Sequence, residues 1–302
     1  MSNSWKDLWL VLLSFVEVSL LAFTTLAFGT VSSWFVFASG VVLVFLNCTN
    51  FQCIAHNFLH TPFFRSKALN QAYSLFNTLA LGVPQTLYRS QHLHHHKYNN
   101  DAKDAAGTTQ DQSSTYRCSR SPTSEESIIT YALLGPFRTD VWRFSQDARK
   151  HQRGALLLVE TLWFVLFATV LGVLNPRGLL WFFLPVWYFG QVAALAENYL
   201  EHHLAIPGNR LTDSVSSYGK LYNWVWFNNG YHQEHHFRPQ VHWTQIRKLR
   251  EQMLPESQRR VAPGAHWFNF SWNGQLPRSL GSSGSSTRAP AEAHSQSAQS
   301  TL

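Results

Sequence analysis

Apolar and polar stretches alternate along this chain on a long period, and the apolar ones fall into four blocks. They run over 8–28, 34–54, 155–174 and 179–200. Each is close to the roughly 20 residues that a helix needs to cross about 30 Å of hydrocarbon. A backbone inside a bilayer must satisfy its own N–H and C=O groups, so each block predicts a helix. Only Glu17 interrupts the first of them. The blocks pair off across very short connections, "GTVSS" at 29–33 and "NPRG" at 175–178. This predicts an all-α integral membrane fold with four transmembrane helices in two hairpins. Both connections then lie on one side of the membrane, opposite the N-terminus, the 55–154 loop and the 201–272 segment.

The polar stretches predict smaller elements. Residues 68–81 are moderately apolar and read as an interfacial or re-entrant helix, and 107–127 as an exposed loop. Thr123 and Glu126 stand at capping-box spacing, with a helix over 124–134 behind them. The basic amphipathic stretch 138–153 suits a membrane surface. Residues 1–272 form one membrane domain, and the Ser/Gly/Ala-rich 273–302 reads as a disordered tail.

Charge orients the hairpins. Of 24 Lys and Arg, 12 lie in 55–154, 10 follow residue 200 and Lys6 precedes the first block, which leaves only Arg177 in a connection. The positive-inside rule therefore assigns both termini to the cytoplasm. The net charge of +7 is then a basic face above anionic lipid, and nucleic acid is not needed to explain it. Charged residues make up 14% of the chain, against about 25% in soluble domains. Cys48, Cys53 and Cys118 form no CxxC pair, so no disulfide framework is expected. The opening "MSNSWKDLWL" lacks a signal-peptide pattern.

The 15 histidines are clustered. His56 and His60 stand at i and i+4 where the second block leaves the membrane. His92, His95 and His96 follow i, i+3, i+4, and His232, His235 and His236 repeat that spacing. Asn198 and His202, again four apart, end the fourth block. Residues so spaced share a helix face, and all four groups map to the cytoplasmic end of one bundle. Crowded imidazoles repel when protonated, whereas neutral rings can give their lone pairs to a metal. One zinc takes about three or four ligands, so nine histidines and one asparagine suit two ions, with iron among the metals that imidazole favours. His94 and His203 fall one position off the pattern, His151 and His242 match no group, and His266 and His294 read as solvated. Glu197, Glu201, Glu234, Asp101 and Asp104 flank the groups. They are candidates for orienting imidazoles through the second ring nitrogen, for salt bridges, or for plain solvation.

"HNFLH", "HLHHH", "NYLEHH" and "YHQEHH" together resemble the histidine boxes of the membrane fatty acid desaturase and hydroxylase superfamily. The resemblance covers about residues 8–255. It implies a non-haem di-iron centre in a cytoplasmic helical cap, using O₂ as co-substrate, with His56, His60, His92, His95, His96, His202, His232, His235 and His236 as ligands. Asn198 would ligate directly or through water. The chain carries no HPGG-type cytochrome b5 motif, so a separate ferredoxin, rubredoxin or cytochrome b5 with its reductase would supply electrons at the basic face. The expected reaction is desaturation of a fatty acyl chain. The alternatives are a hydroxylase or ketolase of a carotenoid, sterol or alkane, and a membrane zinc hydrolase. An acyl channel is expected between the helices, near Phe45, Trp163, Phe164, Phe183 and Trp187.

Overall fold

The computed structural model describes residues 1–269, so the expected tail at 273–302 lies outside the described residues. The fold is mostly helical. In chain order it runs α1 Asp7–Leu26, α2 Ser33–His60, α3 Lys67–Leu81, α4 Gln85–Tyr98, α5 Ile128–Leu134, α6 Val141–Lys150, α7 Gly154–Leu174, α8 Pro176–His202, α9 Lys220–Val225 and α10 His232–Phe237. Two two-residue strands, β1 Ser216–Ser217 and β2 Val261–Ala262, pair in parallel. Among the described residues, α1, α2, α7 and α8 are long and apolar enough to cross a membrane.

Local chemistry sets the helix ends. Ser32, Ser66 and Asp140 cap α2, α3 and α6, their side chains accepting from Phe35 N at 3.2 Å, Leu69 N at 3.4 Å and Arg143 N at 2.9 Å. Helix α3 stops at Gly82, whose φ of 70° is the left-handed conformation that glycine adopts without steric cost. Helix α4 stops at Asn99 and Asn100, φ 55° and 53°. Helix α5 begins at Ile128 under Ser127 and not at 124. The expected Thr123–Glu126 box does not form, because both Glu126 oxygens take up Arg138 Nη1, at 2.7 and 2.8 Å.

Helix α2 outruns its apolar block. It passes through a π-helical stretch, Asn50–Ala55, and continues to His60. The first strong breaker after that block is Pro62, so hydropathy ends before the helix does. Both His56 and His60 are thereby carried on a rigid element.

One buried cluster draws on all four long helices: Leu21, Leu43, Leu171, Phe182, Phe183 and Val186. The short turns after α1 and α7 meet each other, with Asn175 Nδ2 donating to Leu26 O at 3.0 Å and Phe28 O at 2.9 Å. Gly178 passes so close that a Cβ there would lie 1.9 Å from Thr25 O. Glu17 is fully enclosed, accepting from Asn50 Nδ2 at 2.8 Å and Asn47 Nδ2 at 3.3 Å. Asn77 extends this network to Asn50 and Gln85. Large apolar side chains such as Trp9, Trp34, Phe37 and Trp181 point outward.

Candidate metal centre

The ends of α2 and α8 meet α4 and α10, and there nine imidazoles come together. Nε2 atoms of His60, His92, His96, His235 and His56 follow one another at 3.1, 2.9, 3.0 and 2.6 Å. A second set links His95 to His202 at 3.1 Å, His202 to His232 at 3.2 Å and His232 to His236 at 3.0 Å. Within the first set, and among His95, His202 and His236, one nitrogen per ring lies within 4.8 Å of the others. The sets adjoin, the rings of His96 and His236 being 4.5 Å apart.

The split crosses the sequence motifs. On α4, His92 and His96 join the first set and His95 the second. On α10 the assignment is reversed: His232 and His236 join the second and His235 the first. A shared helix face therefore serves two neighbouring positions.

Hydrogen bonds at the other ring nitrogen fix the tautomers. His56 Nδ1 faces Gln52 O at 2.8 Å, His202 Nδ1 faces Asp213 O at 3.1 Å, and His95 Nδ1 faces Asp111 Oδ2 at 2.7 Å. Carbonyl and carboxylate oxygens only accept, so each Nδ1 carries the proton and each Nε2 presents a lone pair. His95 and His202 then aim lone pairs at each other across 3.1 Å, an arrangement that repels without a cation between them. Two nitrogens at right angles around one ion, each about 2.1 Å from it, would be about 3.0 Å apart. The observed spacings bracket that value, so the residues fit two metal ions. Burial first, then the neighbouring imidazoles, hold His92, His96, His232, His235 and His236 well below the ordinary imidazole pKa. The rings are thus neutral and ready to bind.

Asn198 joins neither set. Its Nδ2 donates to Tyr131 Oη at 2.8 Å, and it lines a cavity of about 90 Å³ with His92, His95 and His232. Phe51, Tyr88, Ala194 and Leu195 form the apolar part of that wall. None of Phe45, Trp163, Phe164, Phe183 and Trp187 lines it. The cavity runs along α4 from Tyr88 to His95 and along α8 from Gln191 to Glu201, next to Pro136 and Thr139.

Asp111 is the orienting carboxylate that sequence spacing missed. It sits in the loop read as merely exposed, yet it is fully buried. Asp101 builds this loop by accepting from Gln110 N at 2.7 Å and Asp111 N at 2.9 Å. Asp104 closes its own turn around Thr108. Burial alone would raise the Asp111 pKa, but His95 opposite it and the amides of Ser113 and Asn100 prevail and hold the carboxyl at about 2. Glu234 takes the salt-bridge role, bonded by Ser216 and Tyr218 at 2.6 Å each with Arg259 at 3.8 Å. Glu201 comes within 3.7 Å of His232 Nδ1, while Glu197 accepts from Tyr222 Oη at 2.7 Å.

The remaining histidines stand apart from both sets. His266, expected to be solvated, is wholly buried, with Tyr222 Oη and Val215 O each 3.0 Å away. The backbone after β2 turns inward there and encloses the ring. His242 pairs with Asp7 at 2.9 Å, His203 with Glu125, and His94 with Gln110 O at 2.9 Å. His151 is exposed beside Asp147, and His294 lies outside the described residues.

Comparison with known proteins agrees with this geometry. The fatty acid desaturase family profile matches residues 32–267. The chain is 28% identical over 273 residues to the sphingolipid delta(4)-desaturase of Schizosaccharomyces pombe, covering 84% of this chain and 70% of the relative. It is 28% identical over 233 residues to the enzyme of that name from Mus musculus, covering 69% and 62%. It is also 24% identical over 233 residues to a sphingolipid delta(4)-desaturase/C4-monooxygenase of Rattus norvegicus, covering 75% and 68%. The chain thus spans about two thirds of the length of the relatives it matches. No solved structure matches it.

Proposed function

Because the chain belongs to the fatty acid desaturase family, we propose that it is a membrane di-iron oxidoreductase that desaturates the long-chain base of a sphingolipid with O₂. The observation that carries this reading is the pair of adjoining histidine sets, three of whose rings are held with their Nε2 lone pairs turned toward neighbouring rings. His56, His60, His92, His96 and His235 would hold one iron. His95, His202, His232 and His236 would hold the other, with Asn198 near enough to reach it through water. When bound, the irons supply with O₂ the oxidising chemistry for an unactivated C–H bond, which no acid or base side chain here can attack.

The chain's own residues orient and enclose. Asp111, Gln52 O and Asp213 O hold three rings in the ligating tautomer. Phe51, Ala194 and Leu195 offer an apolar wall to a hydrocarbon chain, while Gln91, Ser113 and Thr139 line the same cavity and suit the hydroxyl and amide groups of a sphingolipid. The names of the relatives favour that substrate class over the simple fatty acyl chain expected from the motifs. Oxygen insertion is the second reading, supported by the monooxygenase activity in the name of the rat relative.

The bond from Asn175 to Leu26 and Phe28 supports two hairpins with both turns on one side. The histidines then lie on the basic, cytoplasmic side in a helical cap, within reach of a cytochrome b5-type or ferredoxin-type donor. Sphingolipid mass spectrometry of cells with and without the gene tests the proposal. A long-chain base lighter by two hydrogens is expected. Unchanged long-chain bases, despite iron-loaded protein in the membrane, would refute it.

A further inference from the structure

A second cavity, of about 290 Å³, opens between the end of α2, the start of α3, α4 and the start of α7. Three cations line it, Lys67, Arg89 and Arg153, together with polar side chains such as Asn70, Gln71 and Gln85 and the apolar Phe58 and Leu156. Among the described residues none of the three cations has a salt-bridge partner, whereas Arg138, Arg250 and Arg259 all have one. Arg89 is half-buried, and burial followed by its neighbour Arg153 holds its guanidinium below the ordinary pKa, with Asp147 opposing. Among the described residues the buried Glu160 forms no salt bridge with the trio. Glu160 is occupied by Ser74 Oγ at 2.5 Å, Thr86 N at 2.8 Å and Thr86 Oγ1 at 3.1 Å. Like charges gathered around one hollow call for an anion.

We propose that this cavity binds the phosphate headgroup of an anionic membrane phospholipid. Its position selects a lipid over a free ion. Arg153 directly precedes the apolar helix α7, and Leu156 on the first turn begins an outward stripe continued by Val159 and Trp163, both exposed. Those residues stand at i, i+3 and i+7, one face of the helix. A headgroup held by the cations would lay its acyl chain along that stripe. The inference rests on the membrane-embedded reading of the four helices but not on the catalytic one, so it can fail while the desaturase reading stands.

The test uses the purified, iron-loaded full chain in detergent, with lipid binding read by native mass spectrometry. Phosphatidylglycerol is expected to bind and phosphatidylcholine with the same acyl chains to bind more weakly. Each cation removed should weaken phosphatidylglycerol binding about fivefold, so the Lys67→Gln/Arg153→Gln double variant should lose about 25-fold. Arg153→Lys should retain binding. If the double variant does not fold, Lys67→Gln alone, at an exposed position, should still show the fivefold loss. Equal binding of the two lipids, or no loss in a folded variant, overturns the proposal. So does displacement of the lipid by inorganic phosphate at comparable concentration, which would make this a free-phosphate site.

Discussion

Replacing Asp111 with Asn separates the two histidine sets. The carboxylate accepts from four donors at once: His95 Nδ1 at 2.7 Å, Asn100 N at 2.9 Å, and Ser113 N and Oγ at 2.8 Å each. An amide keeps one acceptor oxygen and turns the other into a donor. If the oxygen stays toward His95, the new NH₂ faces the N–H of Ser113, and a buried unsatisfied donor costs about 1–3 kcal/mol. If the amide flips, His95 Nδ1 faces a donor and keeps only Ser113 Oγ, 3.1 Å away, as an acceptor, which favours a proton on Nε2, where it points at the metal position. The first outcome costs folding stability, whereas the second weakens the set containing His95 and leaves the other set untouched. Loss of such an orienting partner typically costs 10–100-fold in metal affinity, about 1.4–2.8 kcal/mol. The assay is iron content per chain after equilibration with graded chelator, the fold being checked by thermal melting. Wild type should retain two irons at a chelator concentration where Asp111→Asn retains about one. Two irons retained with undiminished affinity, or both lost together from a folded variant, would refute the reasoning.

Four further outcomes follow from the same structure. His235→Ala should lower affinity at the His56 set and His236→Ala at the His202 set, and both should abolish product formation measured by lipid mass spectrometry. Gly178→Ala drives a methyl group into Thr25 O and should lower the melting temperature by an amount matching about 1–3 kcal/mol, while Gly29→Ala, where a Cβ meets nothing within 4 Å, should cost less despite its φ of 89°. Glu17→Ala removes one acceptor each from Asn47 and Asn50, which keep their bonds to Ala80 O and Asn77 Oδ1, and should cost about 1–3 kcal/mol, with Glu17→Gln recovering part of that in the same melting assay. Because burial depresses the pKa of His92, His96, His232, His235 and His236, the unfolded chain takes up more protons below its histidine pKa of about 6.5. Melting of the metal-stripped protein should therefore be level above that pH and fall as pH drops below it; a constant melting temperature down to pH 5 would contradict the neutral-ring assignment.

What the sequence made legible was periodic. Helices register as apolar blocks, and ligands as histidines at i, i+3 and i+4, so the four long helices and all nine imidazoles could be located from spacing. The reach of α2 to His60 was hidden because hydropathy reports the solvent of a side chain, not the continuity of a backbone. Glu17 looked like an interruption, since its partners Asn47 and Asn50 come from another helix. Asp111 carries no periodic signal at all. Its role depends on Asp101 folding a Ser/Thr-rich loop back over α4, a tertiary event with no counterpart in local spacing. Nor does a shared helix face reveal that its three histidines divide between two sets.

That crossed allocation bears on how the protein is made. Each cage draws two nitrogens from one histidine triplet and a single nitrogen from the other, in opposite proportion. A nascent chain that ends before residue 235 owns neither cage complete, however well its first helices have inserted. On the two-iron reading neither cage can fill until α10 has been made, and filling either one ties α4 to α10.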